Sequence, residues 1–304
     1  MEYKETQESI NLTALNEDYM KVYYSRPYQK FINRKIRRLS FSTLIREFTT
    51  GYFLKRIKSM MTGGSSYKPR DSVKELRHVD TEERIAVYTV IIGNYDTLKQ
   101  PYFISSQCDY FVITDHNIKT EGTCWKIKLI DDYRIDNSYS NTKKARYVKT
   151  HPEVFFPNYK YSIFLDGNIQ IISDLVPLVK QLGKGSFATH LHPSNDCIYQ
   201  EGKDIIALGK SKPEEVNRQL NTYRQNSFPA HFGLCETNVL VREHNRDDCL
   251  AIDSAWWNEL NQFTLRDQLS LTYVVWKIEK KFSWIRLLGN NPRKNPRLRY
   301  LAHN

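Results

Sequence analysis

The sequence predicts an α/β protein whose mainly parallel sheet is flanked by helices, and three observations carry that prediction. Near-continuous apolar runs at 85–92 and 110–114 stop abruptly at Gly93-Asn94 and at Asp115, the pattern of strands buried on both faces. A third run at 125–130 alternates and stops at Asp131-Asp132, and a fourth, Tyr161-Ser-Ile-Phe-Leu, leads directly into Asp166. Helix-like segments lie between these runs, and strands interleaved with helices fold as α/β units.

The remaining elements follow in order. Residues 141–153 read as a helix carrying Lys143, Lys144, Arg146 and Lys149. Residues 187–192 read as a short strand, 213–223 as a helix opened by Pro213, and 232–241 as a turn into a strand. Residues 249–260 and 265–277 read as helices, the second opening at Arg266-Asp267. Upstream, apolar and aromatic residues from Tyr23 to Ile57 recur at spacings of three and four among lysines and arginines, which predicts a basic amphipathic helical arm. A Gly/Ser/Pro-rich stretch at 61–70 reads as a linker. The expected organisation is an arm over 1–80, an α/β domain over 81–280 and a basic tail over 281–304.

A chain of 304 residues with 40% hydrophobic and 13% aromatic residues can bury one large core and carry an appendage. It holds no apolar run of about 18 residues, and its first residues are polar and acidic. The expectation is a soluble, unexported, cytoplasmic protein. Five cysteines, Cys108, Cys124, Cys197, Cys235 and Cys249, are scattered without a Cys-x-x-Cys pair, so reduced thiols are expected.

The formal net charge of +11 is unevenly distributed. From Lys21 to Arg70 the only acid is Glu47, and a second basic run spans 286–299. Such segments suit nucleic acid, an anionic membrane face or phosphorylated substrates. Nucleic-acid binding is the lesser reading, because no helix-turn-helix, zinc finger or RNA-binding aromatic signature occurs and the basic residues lie outside the α/β region.

Ligands of open α/β sheets sit beyond the carboxyl ends of the strands. Gly93, Asn94, Asp115 and Asp166 all fall at such ends, so one crevice could collect them. In Leu165-Asp166-Gly167-Asn168 an acid and an amide stand two residues apart. A hard divalent cation bound to a diphosphate needs only one or two such oxygens from protein, and Gly167 is expected to let the backbone turn so that both face one ion. A plain β-turn is the alternative.

Six segments in register resemble a known family: 86–96, 108–115, 161–169 containing Phe-Leu-Asp-Gly-Asn, 192–201, 233–242, and 266–270 containing Arg-Asp-Gln. Over about 85–277 the chain resembles the glycosyltransferase-like family once called domain of unknown function 616, which includes plant TOD1/MUCI70 proteins. The resemblance implies a GT-A-like, Rossmann-like fold, a UDP- or GDP-sugar donor, and Mn²⁺ or Mg²⁺ held by Asp166 and Asn168. Asn168 stands where many GT-A enzymes carry a second Asp. The implied donor-binding set is Tyr88, Gly93, Asn94, Asp115, Lys144, Arg146, Asp166 and Asn168. Asp267 is the candidate general base if the reaction inverts, and His190, His192, Glu201, Glu236 and Arg266 are placed on the acceptor side. The expected acceptor is a cell-surface polysaccharide or a lipid-linked glycan, with the basic arm docked peripherally on the inner face of the membrane and no nucleic-acid partner. A catalytically inactive scaffold of the same fold is the alternative.

Overall fold

The computed structural model describes residues 76–93 and 95–301, and the basic arm and Asn94 lie outside them. Strands β1 (Ile85–Ile91), β2 (Cys108–Thr114), β3 (Trp125–Leu129) and β4 (Tyr161–Leu165) form where the apolar runs stand. They pair in parallel in the order β3-β2-β1-β4, with Ile91 beside Thr114 and Thr89 beside Leu165. Their carboxyl ends therefore share one edge of the sheet. Strand β7 (Cys235–Arg242) lies antiparallel to β4 and to β6 (Phe187–Leu191), which completes a mixed rather than wholly parallel sheet.

Burial explains the run-like sequences. Val87, Val112, Ile163 and Val241 pack into one core layer, and Ala86, Tyr88, Phe164 and Leu240 into the layer on the opposite face. The second layer is closed by helix α6 (Asp247–Gln262) and helix α7 (Asp267–Glu279), with Trp256 fully buried between them. Helix α4 (Ile198–Ala207) and helix α5 (Pro213–Gln225) form a satellite core around Tyr223, which stacks on Tyr273 at 3.7 Å.

Three expectations need correction. The helix expected over 141–153 ends earlier: α1 spans Asn141–Thr150, His151 leaves helical geometry, and Pro152 opens a separate short helix, α2 (Pro152–Phe155). A proline disfavours the helical region for the residue before it, which accounts for the break. The folded unit also begins before residue 81. The Arg77 side chain meets Glu243 at 2.5 Å and donates to the carbonyls of Gly183 and Gly185.

The third correction concerns the basic tail. The segment from 281 onward is woven into the fold: β8 (Arg286–Leu287) joins the main sheet beside β6, and β9 (Leu298–Tyr300) pairs with β5 (Ile169–Ile171). Ile285, Leu288 and Leu298 are buried, so apolar residues spaced between the basic ones anchor it. A short helix α3 (Val176–Lys180) lies between β5 and β6. All five thiols are free, four of them buried, and no described helix is long and apolar enough to cross a membrane.

Candidate functional site

Asp166 leaves β4 with its backbone N–H bonded to the Asn238 carbonyl of β7, and its own carbonyl accepts from Ile169 to close a β-turn. The side chain is one-third exposed at the sheet edge. Beneath it lies Lys149, the last buried cation of α1. Its ammonium stands 3.6 Å from Asp166 Oδ1 and 2.5 Å from Asp267 Oδ2, and 4.9 Å from the centre of the Phe164 ring. Lys149 thus ties the Asp166 turn to the first residue of α7. It does not reach out toward a ligand, because it is buried.

Asp267 is held from three sides. Besides Lys149, Arg146 stands 3.6 Å away and Thr237 Oγ1 donates at 2.9 Å. Burial alone would raise the Asp267 pKa, but the charges of Arg146 and Lys149 and the two hydrogen bonds outweigh it and hold the carboxyl well below the usual carboxylate range. A buried carboxylate so stabilised as an anion is a weak proton acceptor. The structure therefore makes Asp267 the anchor of Lys149 and corrects its expected role as general base.

Gly93 and Asp115 form a second pair at the ends of β1 and β2. The Gly93 N–H donates to both Asp115 carboxylate oxygens at 2.9 and 3.0 Å, and His116 Nδ1 lies 2.7 Å from Oδ1. Burial works to raise the Asp115 pKa, yet the His116 and Gly93 hydrogen bonds lower it on balance. Gly93 adopts φ +62°, a left-handed conformation, and a Cβ there would come within 2.9 Å of Asn141 Nδ2. The start of α1, capped by the Ser140 hydroxyl on the Lys143 N–H, thus abuts the β1 exit. Lys144 lies half-buried one turn along this helix.

Asn168 turns its amide N–H toward the Leu301 carbonyl at 3.0 Å, and Leu301 N–H returns to the Asn168 carbonyl at 2.9 Å. Its side-chain oxygen is the atom left to ligate. The Asp-Gly-Asn unit is therefore the β-turn that the sequence also allowed, tied to Leu301 through Asn168. Gly167 is absent from the residues with left-handed backbone, so the turn itself does not require glycine. The requirement is room: a Cβ at Gly167 would meet Asp96 Oδ2 at 3.0 Å.

Tyr88 is the clearest departure from the expected donor-binding set. It sits mid-strand, fully buried, against Phe156 and Phe164, and its hydroxyl accepts from Arg242 at 2.6 Å. Arg242, also fully buried, pairs with Asp253 at 2.9 Å and donates to the Lys149 carbonyl at 2.9 Å. Tyr88 belongs to the support of Lys149, not to a ligand surface.

On the expected acceptor side, His192 Nδ1 accepts the Asn195 N–H at 2.9 Å, which leaves the proton on Nε2. That nitrogen faces Glu201 at 3.5 Å and Glu236 at 4.0 Å. Glu236 takes hydrogen bonds from Arg293 at 3.0 Å and Asn238 at 2.9 Å. Burial raises its pKa, but the charge of Arg293 and its hydrogen bond bring it below its ordinary value. His192, Glu201 and Glu236 therefore form one cluster, joined through Asn238 to the Asp166 backbone. Beside it opens a cleft of 490 Å³ lined in part by Asn195, Tyr199, Lys203 and His231.

His190 and Arg266 do not face such a surface. Arg266 is turned onto the Lys210 carbonyl of the α4–α5 loop. His190 is fully buried, accepts from Asn295 at 3.1 Å, and is pushed by burial down to about 3. Unfolded histidine titrates near 6.5, so the neutral His190 stabilises the fold above that pH, and the contribution is lost as pH falls from about 6.5 toward 3. Between pH 7 and pH 5 His190→Gln should lose about 2 kcal/mol less stability than the parent, by urea denaturation. Equal losses in the two proteins would show that His190 is charged in the fold.

Among the described residues no three His, Cys, Asp or Glu side chains converge to hold a metal by themselves. Asp166 and the Asn168 oxygen nevertheless fit a cation that arrives on a diphosphate, since phosphates and water complete its shell. Sequence reasoning missed Asp96, Asn238 and Arg293. Asp96 follows the β1 exit closely and was legible as a loop acid, whereas nothing local marks Arg293.

The fold and site together define an α/β protein that brings carboxylates and cations together at the carboxyl ends of its parallel strands. The chain belongs to the TOD1/MUCI70 glycosyltransferase-like domain family, whose model matches residues 29–295. It is 24% identical over 231 residues to a probable hexosyltransferase, MUCI70, of Arabidopsis thaliana, a match covering 66% of this chain and 38% of that protein. Solved structures that it resembles in part include the WbbM bifunctional glycosyltransferase, at 12% identity and TM-score 0.41, covering 71% of this chain and 40% of that one. Mouse xyloside xylosyltransferase 1 aligns at 8% identity and TM-score 0.40, covering 67% and 85%. The galactosyltransferase LgtC aligns at 11% identity and TM-score 0.36, covering 63% and 69%.

Proposed function

We propose that the protein transfers a sugar from a nucleotide-sugar donor to a hydroxyl of a glycan acceptor. The observation that carries this reading is Asp166, partly exposed at the meeting point of β4 and β7, beside the Asn168 turn and 3.6 Å from Lys149. In such a transfer the acceptor oxygen bonds to the anomeric carbon, the bond from that carbon to the phosphate oxygen breaks, the diphosphate leaves with the electron pair, and the proton of the acceptor hydroxyl passes to the departing phosphate oxygen. Asp166 and Asn168 would hold Mn²⁺ or Mg²⁺, which supplies charge compensation for the departing diphosphate. Gly93, Asp115 and the start of α1 form the wall on which the nucleoside would lie. Lys144 lends positive charge along α1, where Arg146 is held on Asp267 at 3.6 Å.

The acceptor in this reading enters past His192, Glu201 and Glu236, where paired polar groups and the adjoining cleft suit sugar hydroxyls. A cell-surface polysaccharide or lipid-linked glycan is the proposed acceptor, and the basic segments before residue 76 suit an anionic membrane surface.

A panel of UDP- and GDP-sugars with and without Mn²⁺, followed by thermal shift, tests the reading. A donor at about 100 times its Kd should stabilise the protein by about 2.7 kcal/mol and raise the melting temperature by a few degrees. No shift with any donor and metal combination would sink it.

A further inference from the structure

We propose that Asp96 is the second carboxylate of the cation site, supplied from the β1 exit in place of the acid that Asn168 does not provide; this rests on the metal-assisted donor reading above. Asp96 is buried, at 8% exposure, and its side chain lies over the turn that carries Asp166 and Asn168. A Cβ built on Gly167 would meet three Asp96 atoms, Oδ2 at 3.0 Å, Cβ at 3.1 Å and Cγ at 3.4 Å. The Asp166–Ile169 hydrogen bond closes a turn that residues other than glycine adopt freely, and Gly167 is not in the left-handed region. The missing side chain at 167 therefore serves to let the Asp96 carboxylate lie against the turn.

The chemistry of the donor set points the same way. Asp166 shares Lys149 with Asp267, and Lys149 and Arg146 offset those two carboxylates one for one. Asn168 adds an oxygen but no charge. A hard divalent cation gains most from anionic oxygens, and Asp96 brings one to the face of the turn. An independent feature lies alongside. Asn238 is also 8% exposed, its backbone carbonyl accepts from Asp166 N–H, and its side-chain oxygen is buried without a hydrogen-bond partner. A buried acceptor left unsatisfied is costly, and a cation or its bound water beside Asp166 would satisfy it.

The test measures Mn²⁺ binding by the loss of its free electron paramagnetic resonance signal, on the full chain, with Mn²⁺ alone and with Mn²⁺ plus UDP or GDP. Asp96→Asn keeps the shape and removes the charge. It should weaken Mn²⁺ binding at least tenfold, since even partners outside the first shell cost about 10- to 100-fold. Gly167→Ala touches no ligand but forces Asp96 off the turn, and it should weaken binding in the same direction; this variant keeps the proposal testable if Asp96→Asn fails to fold. Unchanged Mn²⁺ affinity in both variants, with loss in Asp166→Ala, would overturn the role of Asp96 while leaving the donor site standing. A parent protein that binds no Mn²⁺ with either nucleotide would overturn the cation reading itself, and Asp96 with it.

Discussion

Asp166→Ala should lower kcat/KM for sugar transfer by about 10³-fold while leaving the melting temperature within a few degrees of the parent. The separation of the two effects follows from the geometry. The Asp166 side chain is one-third exposed and its ion pair with Lys149 is long, at 3.6 Å. The backbone bonds that build the turn, Asp166 N–H to Asn238 and Ile169 N–H to Asp166, do not involve the side chain. The variant therefore removes charge from the crevice without dismantling it. Turnover of the donor identified by thermal shift, measured with Mn²⁺ alongside a melting curve, decides the matter. Undiminished turnover would remove the crevice from the reaction.

Lys149→Met should instead be read in stability, with a loss of about 3–5 kcal/mol in chemical denaturation. Methionine fills similar volume, so the change isolates the ammonium. That ammonium is the nearest counter-charge of Asp267, a buried carboxylate whose other partners are Arg146 at 3.6 Å and Thr237. Removing one member of a buried pair leaves the other uncompensated, which is the expensive case. The pH dependence follows from the depressed Asp267 pKa. Its stabilising contribution is present above the unfolded carboxylate value, about 3.9, and is lost as pH falls through the lower folded value. The parent should keep this increment in mild acid, and the variant should lack most of it at neutral pH. A loss below about 1 kcal/mol would mean that Lys149 is not the principal counter-ion.

The central strands were legible because burial on both faces leaves a signature that few other structures share. Ile85–Ile91, Cys108–Thr114 and Tyr161–Leu165 stand where their apolar runs stand, and the residues that stop the runs, Gly93, Asp115 and Asp166, stand at or just past their carboxyl ends. Pairings made over long distances were not legible. Strands β5, β8 and β9 hold two or three residues each, too few for periodicity to show, and exist because distant segments meet. Charge pattern misled at the same places. Arg293 and Arg297 read as part of a basic tail, yet one bonds Glu236 and the other bonds Ser173 and the Asp174 carbonyl. Within the site, residue type was readable and direction was not. Lys149 was visible as a helix cation, but only the fold turns it inward. Tyr88 was visible as one residue of a strand run, but the partner that buries its hydroxyl, Arg242, lies 154 residues away.

The Asn168–Leu301 contact closes 133 residues of chain through a three-residue strand. Bringing such remote segments together is entropically disfavoured until the rest of the molecule is in place. The sheet can thus be complete while the turn at its edge still lacks its clasp, and on warming so short a pairing opens ahead of the strands beneath it. The turn at 166–168 is, on this account, expected to close last in folding and to open first in heat.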